Sequence, residues 1–342
     1  MMWNLTMSEG TWLKGALHCH SKLSDGLLSP EDVARFYEGR GYKLLSITDH
    51  EKMTKLGSFK GVYVSGVEVS RGSCELGERY HILALGVEDP SIWSIHDAQS
   101  LIDHINGSGG LAFIAHPYWS NLTCKDLIAL EGYLGIEIYN TGCDVEVAKG
   151  YSLPHWDSVL SLKKKIYGLA VDDVHRYIVP PIDADGGWIW INMDDLTVEG
   201  ALDSLRAGKF YSSMGPKIVN FKYSSNSVFL ESSPVNRLNV VAPNGRGISF
   251  SLDTINTLID CWKKPEMKNI CENIIVNIEH ICEGDKQTVY LETKKDRRFS
   301  IEYSNEGITR FEAKYNINYS YFRIEVIDEE GRYAWLNPVI NP

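Results

Sequence analysis

Nine side chains of the kinds that bind divalent metals stand between residues 18 and 175: His18, His20, Asp25, His50, Glu68, His81, His116, Asp173 and His175. Imidazole and carboxylate together suit zinc, manganese or iron, and several such ions held side by side generate hydroxide near neutral pH while clamping a phosphate. His18 and His20 are two residues apart, as are Asp173 and His175. Side chains at that spacing on a strand point the same way and can chelate one ion. A lone His-x-His is weak evidence. Two such pairs, joined by further histidines at the ends of apolar runs or on strands, read as a polynuclear metal site.

The elements that must position these residues are legible around them. His18-Cys19-His20 closes the run Leu13–Leu17, Asp49-His50 closes Leu44–Thr48, and His116-Pro117 closes Leu111–Ala115. Each run reads as a buried strand. Between them, Ser29-Pro30-Glu31-Asp32 offers an N-cap, a proline at the first helical position and an acid three residues after the cap, ahead of Val33-Ala34-Arg35-Phe36-Tyr37. Alternating strands and helices predict an α/β barrel, in which residues at strand C-terminal ends converge on one face. That convergence is how ligands so far apart in sequence would meet.

Taken in order, His18-Cys19-His20, Ser24-Asp25-Gly26, Thr48-Asp49-His50, Gly66-Val67-Glu68, His81 to Gly86, Ala115-His116-Pro117 and Asp173-Val174-His175 resemble the motifs of the PHP (polymerase and histidinol phosphatase) family. The resemblance covers residues 12 to 214. It implies a distorted (β/α)7 barrel that holds two or three divalent ions (Mn, Fe or Zn) and hydrolyses phosphoesters. Carried over, it places a first ion on His18, His20, Glu68 and Asp173, a second on Glu68, His81 and His116, and a third on Asp25, His50 and His175. A metal-bridging hydroxide held by Glu68 would attack phosphorus in line. The Asp-x-His pattern of the family selects Asp173 over its neighbour Asp172.

Other residues are weighed against plainer roles. Lys22, Arg71 and Arg176 lie within a few residues of proposed ligands and are candidate phosphate contacts, against an equal case for surface charge. Asp49 reads as an orienting hydrogen-bond acceptor rather than a ligand. Tyr139-Asn140, after the strand-like Gly135–Ile138, would reach the ligand face, and Tyr118 and Trp119 would line a pocket or cover the rim. Cys19 reads as a core thiol, and Lys163-Lys164-Lys165 as a solvated helix end. His96, His104, His155 and His280 read as packing or solvent histidines.

The whole chain sets limits. At 342 residues it predicts two domains, since one domain takes roughly 150. The metal ligands and β/α alternation occupy residues 1–214, while short alternating segments with turns at Asn244-Gly245 and Glu330-Gly331 make residues 215–342 a small antiparallel β domain, read as a sandwich. Residues 258–273 break that rhythm as either helix or loop. The closing Ala334-Trp335-Leu336-Asn337-Pro338-Val339 resembles the tail of two-domain PHP hydrolases, a group with carbamate and aryl ester hydrolases among its branches. Seven scattered cysteines without a Cys-x-x-Cys pair argue against a disulfide framework, and no apolar stretch or leader is evident, so a cytoplasmic, membrane-free protein is expected. A net charge of −11 without a basic stripe argues against long nucleic acid as a partner.

The expected function is therefore hydrolysis of a small phosphorylated substrate, a metabolite or nucleotide. A carboxyl or carbamate ester metallohydrolase is the alternative, with a nuclease and a noncatalytic metal-binding module behind it. A homo-oligomer is compatible with all of these.

Overall fold

The structure is a computed structural model that describes residues 3–6, 9–162 and 164–341. The chain divides into two compact units, one running from Gly10 to Met214 and the other comprising the segment from Gly215 onward together with the N-terminal strand. That strand, Trp3–Thr6, pairs antiparallel with Ile218–Ser224, so the first strand of the chain belongs to the second unit and not to the ligand-bearing one.

The ligand-bearing unit is mixed α/β. In one of its sheets Phe210–Ser213, Trp188–Met193 and Thr11–Ala16 run antiparallel in that order, and Tyr42–Leu45 and Val62–Tyr63 continue it in parallel. The other sheet has five strands, Gly66–Arg71, Tyr80–Leu85, Leu111–Ile114, Gly135–Asn140 and Tyr167–Val171. Its first three strands are antiparallel and only the last two joins are parallel. Among the described residues the strands form open sheets, not the closed (β/α)7 ring expected from the alternation. The segments that follow the strands tie the sheets together: Cys19 bridges Val174 and His50 bridges Glu68, with Asp173 N–H donating to the His18 carbonyl at 3.0 Å and Glu68 N–H to that of Thr48 at 3.1 Å.

Apolar side chains from both sheets meet in one core that includes Leu44, Leu83, Phe113, Leu169, Ile189 and Phe210, all buried. A second cluster, with Tyr37, Tyr42, Ile47 and Tyr177, packs under the helix Pro30–Glu38. That helix starts as its sequence requires: Ser29 Oγ accepts from the Asp32 N–H at 3.2 Å and Pro30 fills the first turn. Of the lysine run, Lys163 lies outside the described residues. Lys164 is no loose surface charge, since its Nζ donates to the carbonyls of Ile128 and Leu130 and pairs with Glu131 at 2.8 Å.

The second unit contains a sheet of seven antiparallel strands and a further antiparallel set built on Arg246–Ser251, Arg237–Ala242 and Tyr321–Ile327. Phe250 of the latter set meets Phe299 and Phe311 of the former, with ring centroids 5.2 and 5.9 Å apart, so apolar faces of the two sets pack on each other. Asn244 and Gly245 both take positive φ, 59° and 67°, in the three-residue connection between Ala242 and Arg246, where the Arg246 N–H donates to the Pro243 carbonyl at 3.2 Å. The undecided stretch is helical, as Leu252–Lys263 and Pro265–Cys271. All seven cysteines are free, and no helix of the described residues is long and apolar enough to cross a membrane.

Candidate metal centre

All nine donor side chains surround one cleft of about 510 Å³ or lie directly beneath it. Glu68 is the centre of the arrangement. It is fully buried, and imidazole nitrogens approach both of its oxygens: His18, His20 and His50 lie 3.0, 3.3 and 3.2 Å from Oε2, and His81 and His116 lie 2.7 and 3.2 Å from Oε1. Asp173 Oδ1 lies 3.1 Å from the Nε2 atoms of both His18 and His20. Asp25, on an exposed loop, faces His175 at 3.4 Å and His50 at 3.6 Å.

Three groups have donor atoms mutually within 4.8 Å: His18, His20, Glu68 and Asp173; His20, Asp25, His50 and His175; and His50, Glu68 and His81. The first matches the expected set. The second adds His20 to Asp25, His50 and His175. The third joins His81 and Glu68 to His50 instead of His116.

Local backbone explains the aim of several donors. His116 and Asp173 have positive φ, 25° and 52°, which is costly for residues with a Cβ and turns each side chain off its strand direction into the cleft. Gly26 permits the Asp25 loop: a Cβ there would stand 2.2 Å from the His20 carbonyl oxygen. Glu68 and His81 depart from the expected strand-end pattern. Glu68 is the third residue of its strand and His81 the second of the antiparallel neighbour, which brings both near the same edge.

A layer of partners fixes the donors. Glu137, buried, lies 2.6 Å from His18 Nδ1 through Oε1, while Oε2 accepts from the His116 N–H at 2.8 Å and from Asn140 Nδ2 at 2.9 Å. A carboxylate only accepts, so Nδ1 of His18 carries the proton and Nε2 is left for a metal. Asn140 Nδ2 also donates to Asp173 Oδ2 at 3.0 Å, so it holds a ligand and does not face the cleft as a substrate contact. His116 Nδ1 lies 2.9 Å from Ser120 Oγ and His175 Nδ1 2.8 Å from the Asp173 carbonyl. Asp49 orients the ligand loop, accepting from the Ser21 N–H and the hydroxyls of Ser21, Ser24 and Thr54.

Asp172 points the other way from Asp173. It accepts from the backbone N–H groups of Asp185, Gly186 and Gly187 and from the hydroxyls of Tyr37 and Thr141. Glu137 was missed in the sequence, although a glutamate inside an otherwise apolar run, Gly135–Asn140, buried throughout, is a usable signal. Asp183 carried no such signal. It accepts from three successive N–H groups, those of His175, Arg176 and Tyr177, and so shapes the turn that presents His175.

The proposed anion contacts separate. Arg176 lines the cleft, with Nε 3.1 Å from Glu146 Oε1. Arg71 does not: both terminal nitrogens pair with Glu51 at 2.7 and 2.9 Å, Nε donates to the Ile95 carbonyl, and the side chain lines a different depression beside His96. The reason is strand geometry, because Glu68 and Arg71 are three apart on one strand and face opposite sides. Lys22 is exposed, acts electrostatically on Asp32, and is not part of the cleft wall. Trp119 lines the cleft, whereas Tyr118 lies over Lys149 and His155. Cys19 is the core thiol expected, fully buried and donating to the Ser46 carbonyl at 3.2 Å.

The electrostatics suit cations. Burial works against charge on His18, but Asp173, Glu137 and Glu68 outweigh it and hold its pKa well up. Burial likewise opposes charge on His20, and hydrogen bonds to Asp173 and Glu68 raise it to about 9. Glu68 and Asp173 are held well below the usual carboxylate range, because the charge on His18 overcomes their burial. The free protein thus keeps protons where positive charge is wanted. Buried carboxylates ringed by imidazoles, with the second nitrogens of His18, His116 and His175 held by Glu137, Ser120 and the Asp173 carbonyl, are a donor set that fits divalent ions.

No protein-family model matches the chain. A two-domain protein from Bacteroides vulgatus, described as containing a predicted PHP-like metal-dependent phosphoesterase, superposes over 95% of this chain and 93% of its own length, with a TM-score of 0.51 and 14% identity. This chain has the PHP-like two-domain fold. An amidohydrolase from Chromobacterium violaceum, solved with sulfate and no metal, covers 47% of this chain and 87% of its own at 19% identity and a TM-score of 0.38. In sequence, the phosphoribosyl 1,2-cyclic phosphate 1,2-diphosphodiesterase of Eggerthella lenta is 40% identical over 80 residues. That stretch is 21% of this chain and 30% of the diphosphodiesterase, so less than a third of that protein is matched.

Proposed function

We propose that the protein is a metal-dependent hydrolase that cleaves phosphoesters of a small metabolite or nucleotide, mono- or diester. The observation that carries the reading is Glu68, a fully buried carboxylate approached by five imidazoles at the floor of a cleft whose wall includes Arg176. In this proposal His18, His20, Glu68 and Asp173 hold one divalent ion, Glu68, His81 and His116 a second, and Asp25, His50 and His175 a third, drawn from Mn, Fe or Zn. When bound, the ions supply Lewis acidity toward an ester oxygen and an activated water as nucleophile. The two open sheets, tied together through residues 19, 50, 68 and 174, would be the arcs of a distorted (β/α)7 barrel.

The chain's own groups position the reaction. Glu137 anchors Nδ1 of His18 and so turns Nε2 toward the cleft as the atom a metal would take, Asn140 holds Asp173, and Asp183 holds the turn bearing His175 and Arg176. Arg176 would take a nonbridging oxygen by exchanging its bond to Glu146 for the phosphate.

The same ion pair gives the alternative its support. Arg176 is already neutralised by Glu146, and Leu27, Trp119 and Val179 supply apolar wall, which a neutral carboxyl or carbamate ester would also suit. The test is hydrolysis of phosphomonoesters, phosphodiesters, nucleotides and carboxyl esters by metal-reconstituted protein, beside Asp173→Asn and His116→Ala. Metal-dependent cleavage of a phosphomonoester or phosphodiester that both variants lose is expected; carboxyl ester cleavage without phosphoester turnover would replace the phosphoester reading with its rival.

A further inference from the structure

Trp119 stands three residues after His116, in a turn closed by the Ser120 N–H to the His116 carbonyl at 3.0 Å and the Leu122 N–H to that of Pro117 at 2.9 Å. Its ring packs edge-on against two donor imidazoles, with centroids 5.0 Å from His116 and 5.9 Å from His81. One side of the indole is therefore fixed over the donor cluster. The rest is open, and Trp119 remains 42% exposed on the cleft. Leu27, two residues after Asp25, and Val179, four after His175, line the same cleft and are 46% and 45% exposed.

Large apolar groups left in water on a metal-site wall are an unfilled binding surface. Among the described residues Arg176 is the only lysine or arginine of that wall, and Glu146 already pairs with it at 3.1 Å. The wall thus offers little for a second anionic group beyond the one at the donor cluster. Tyr118 provides the contrast: equally exposed, it lies over Lys149 and His155 and not on the cleft.

We infer that Trp119 is a specificity-determining residue, and that the part of the substrate not being attacked is a flat apolar ring, aryl or heteroaryl, lying on the open face of the indole beside Leu27 and Val179. The inference rests on the phosphoester reading for the reacting group alone. Offset stacking on indole together with loss of exposed apolar surface corresponds to a preference of about tenfold for an ester with such a ring.

The experiment is calorimetric binding of benzylphosphonate and ethylphosphonate to the manganese-loaded full chain, run beside hydrolysis of benzyl phosphate and ethyl phosphate, whose alcohols are similar in acidity. Benzylphosphonate is expected to bind about tenfold tighter, and benzyl phosphate to show a KM lower by a similar factor at comparable kcat. Trp119→Phe and Trp119→Leu both fill the space over His81 and His116, but only phenylalanine keeps a ring. The preference should persist in the first and collapse in the second, while Tyr118→Ala retains it. Equal affinity for the two phosphonates, binding of neither, or a preference that survives Trp119→Leu would overturn the inference. A benzyl preference in binding without phosphate release from either ester would sink the phosphomonoester reading and leave the role of Trp119 standing.

Discussion

Replacing Glu137 by glutamine tests whether a residue that touches no substrate sets the affinity of the metal site. The carboxylate uses both oxygens: Oε1 for His18 Nδ1 at 2.6 Å, Oε2 for the His116 N–H at 2.8 Å and Asn140 Nδ2 at 2.9 Å. Glutamine has one acceptor oxygen and one NH2, so one side of this arrangement must face a donor with a donor. If the amide oxygen stays on His18, the His116 N–H and Asn140 lose their acceptor. If it turns, His18 loses its proton anchor and its ring is free to change tautomer. Either leaves a buried donor unsatisfied, at about 1–3 kcal/mol, and removes a charge-assisted bond. That corresponds to metal binding weaker by about 10- to 100-fold. Competition with a chromophoric chelator at fixed pH measures it directly, with circular dichroism checking that Glu137→Gln is folded. Affinity within twofold of the parent would refute the argument that Glu137 positions His18 and His116.

The remaining expectations concern charge and burial. In the metal-free protein His20 is raised from its ordinary 6.5 to about 9, so its charge stabilises the fold fully below 6.5 and that contribution is lost as pH rises through about 9. Thermal melts of the metal-free chain should fall across that window and those of the loaded chain should not; parallel curves would contradict it. Because ions displace these protons, metal binding near about pH 7.5 should acidify a weakly buffered solution, which an indicator dye would record. Arg176→Ala should lower kcat/KM for phosphoesters by tenfold or more, about 1.4 kcal/mol, while Arg71→Ala leaves it within about twofold, because Arg71 is bound to Glu51 away from the cleft. Asp172→Ala strips the acceptor from three backbone N–H groups and should cost at least about 3 kcal/mol in urea unfolding of the metal-free chain. A loss under 1 kcal/mol would show that water replaces the carboxylate there.

How far the site was readable depends on the kind of signal. Donor residues that end apolar runs, such as His18, His50 and His116, stand out because an ionisable group at the edge of a buried strand needs a reason to be there. Glu137 gave the same kind of signal more faintly, as one acid within a fully buried strand. Asp183 gave none, because its role is to accept from three N–H groups of a turn eight to six residues earlier, and that turn exists only in the folded chain. For Arg71 the surface-charge reading holds, because closeness in sequence to Glu68 is not closeness in space: its odd spacing from Glu68 on one strand sets it on the opposite face.

By itself the sequence determined which side chains could bind metal, that a mixed set of strands and helices would carry them, and that a β-rich segment would follow them. These are properties of residue type and local period, which a linear chain displays directly. Only the tertiary structure decided that the strands run in open, partly antiparallel sheets, that the first strand joins the second unit, and that Asp172 and Asp173 face opposite ways. It also decided that Arg176 and Trp119 face the cleft while Arg71, Lys22 and Tyr118 do not. Those outcomes depend on which strands pair and where turns place their side chains, and pairing is a long-range competition for buried hydrogen bonds and apolar contacts that no local spacing encodes.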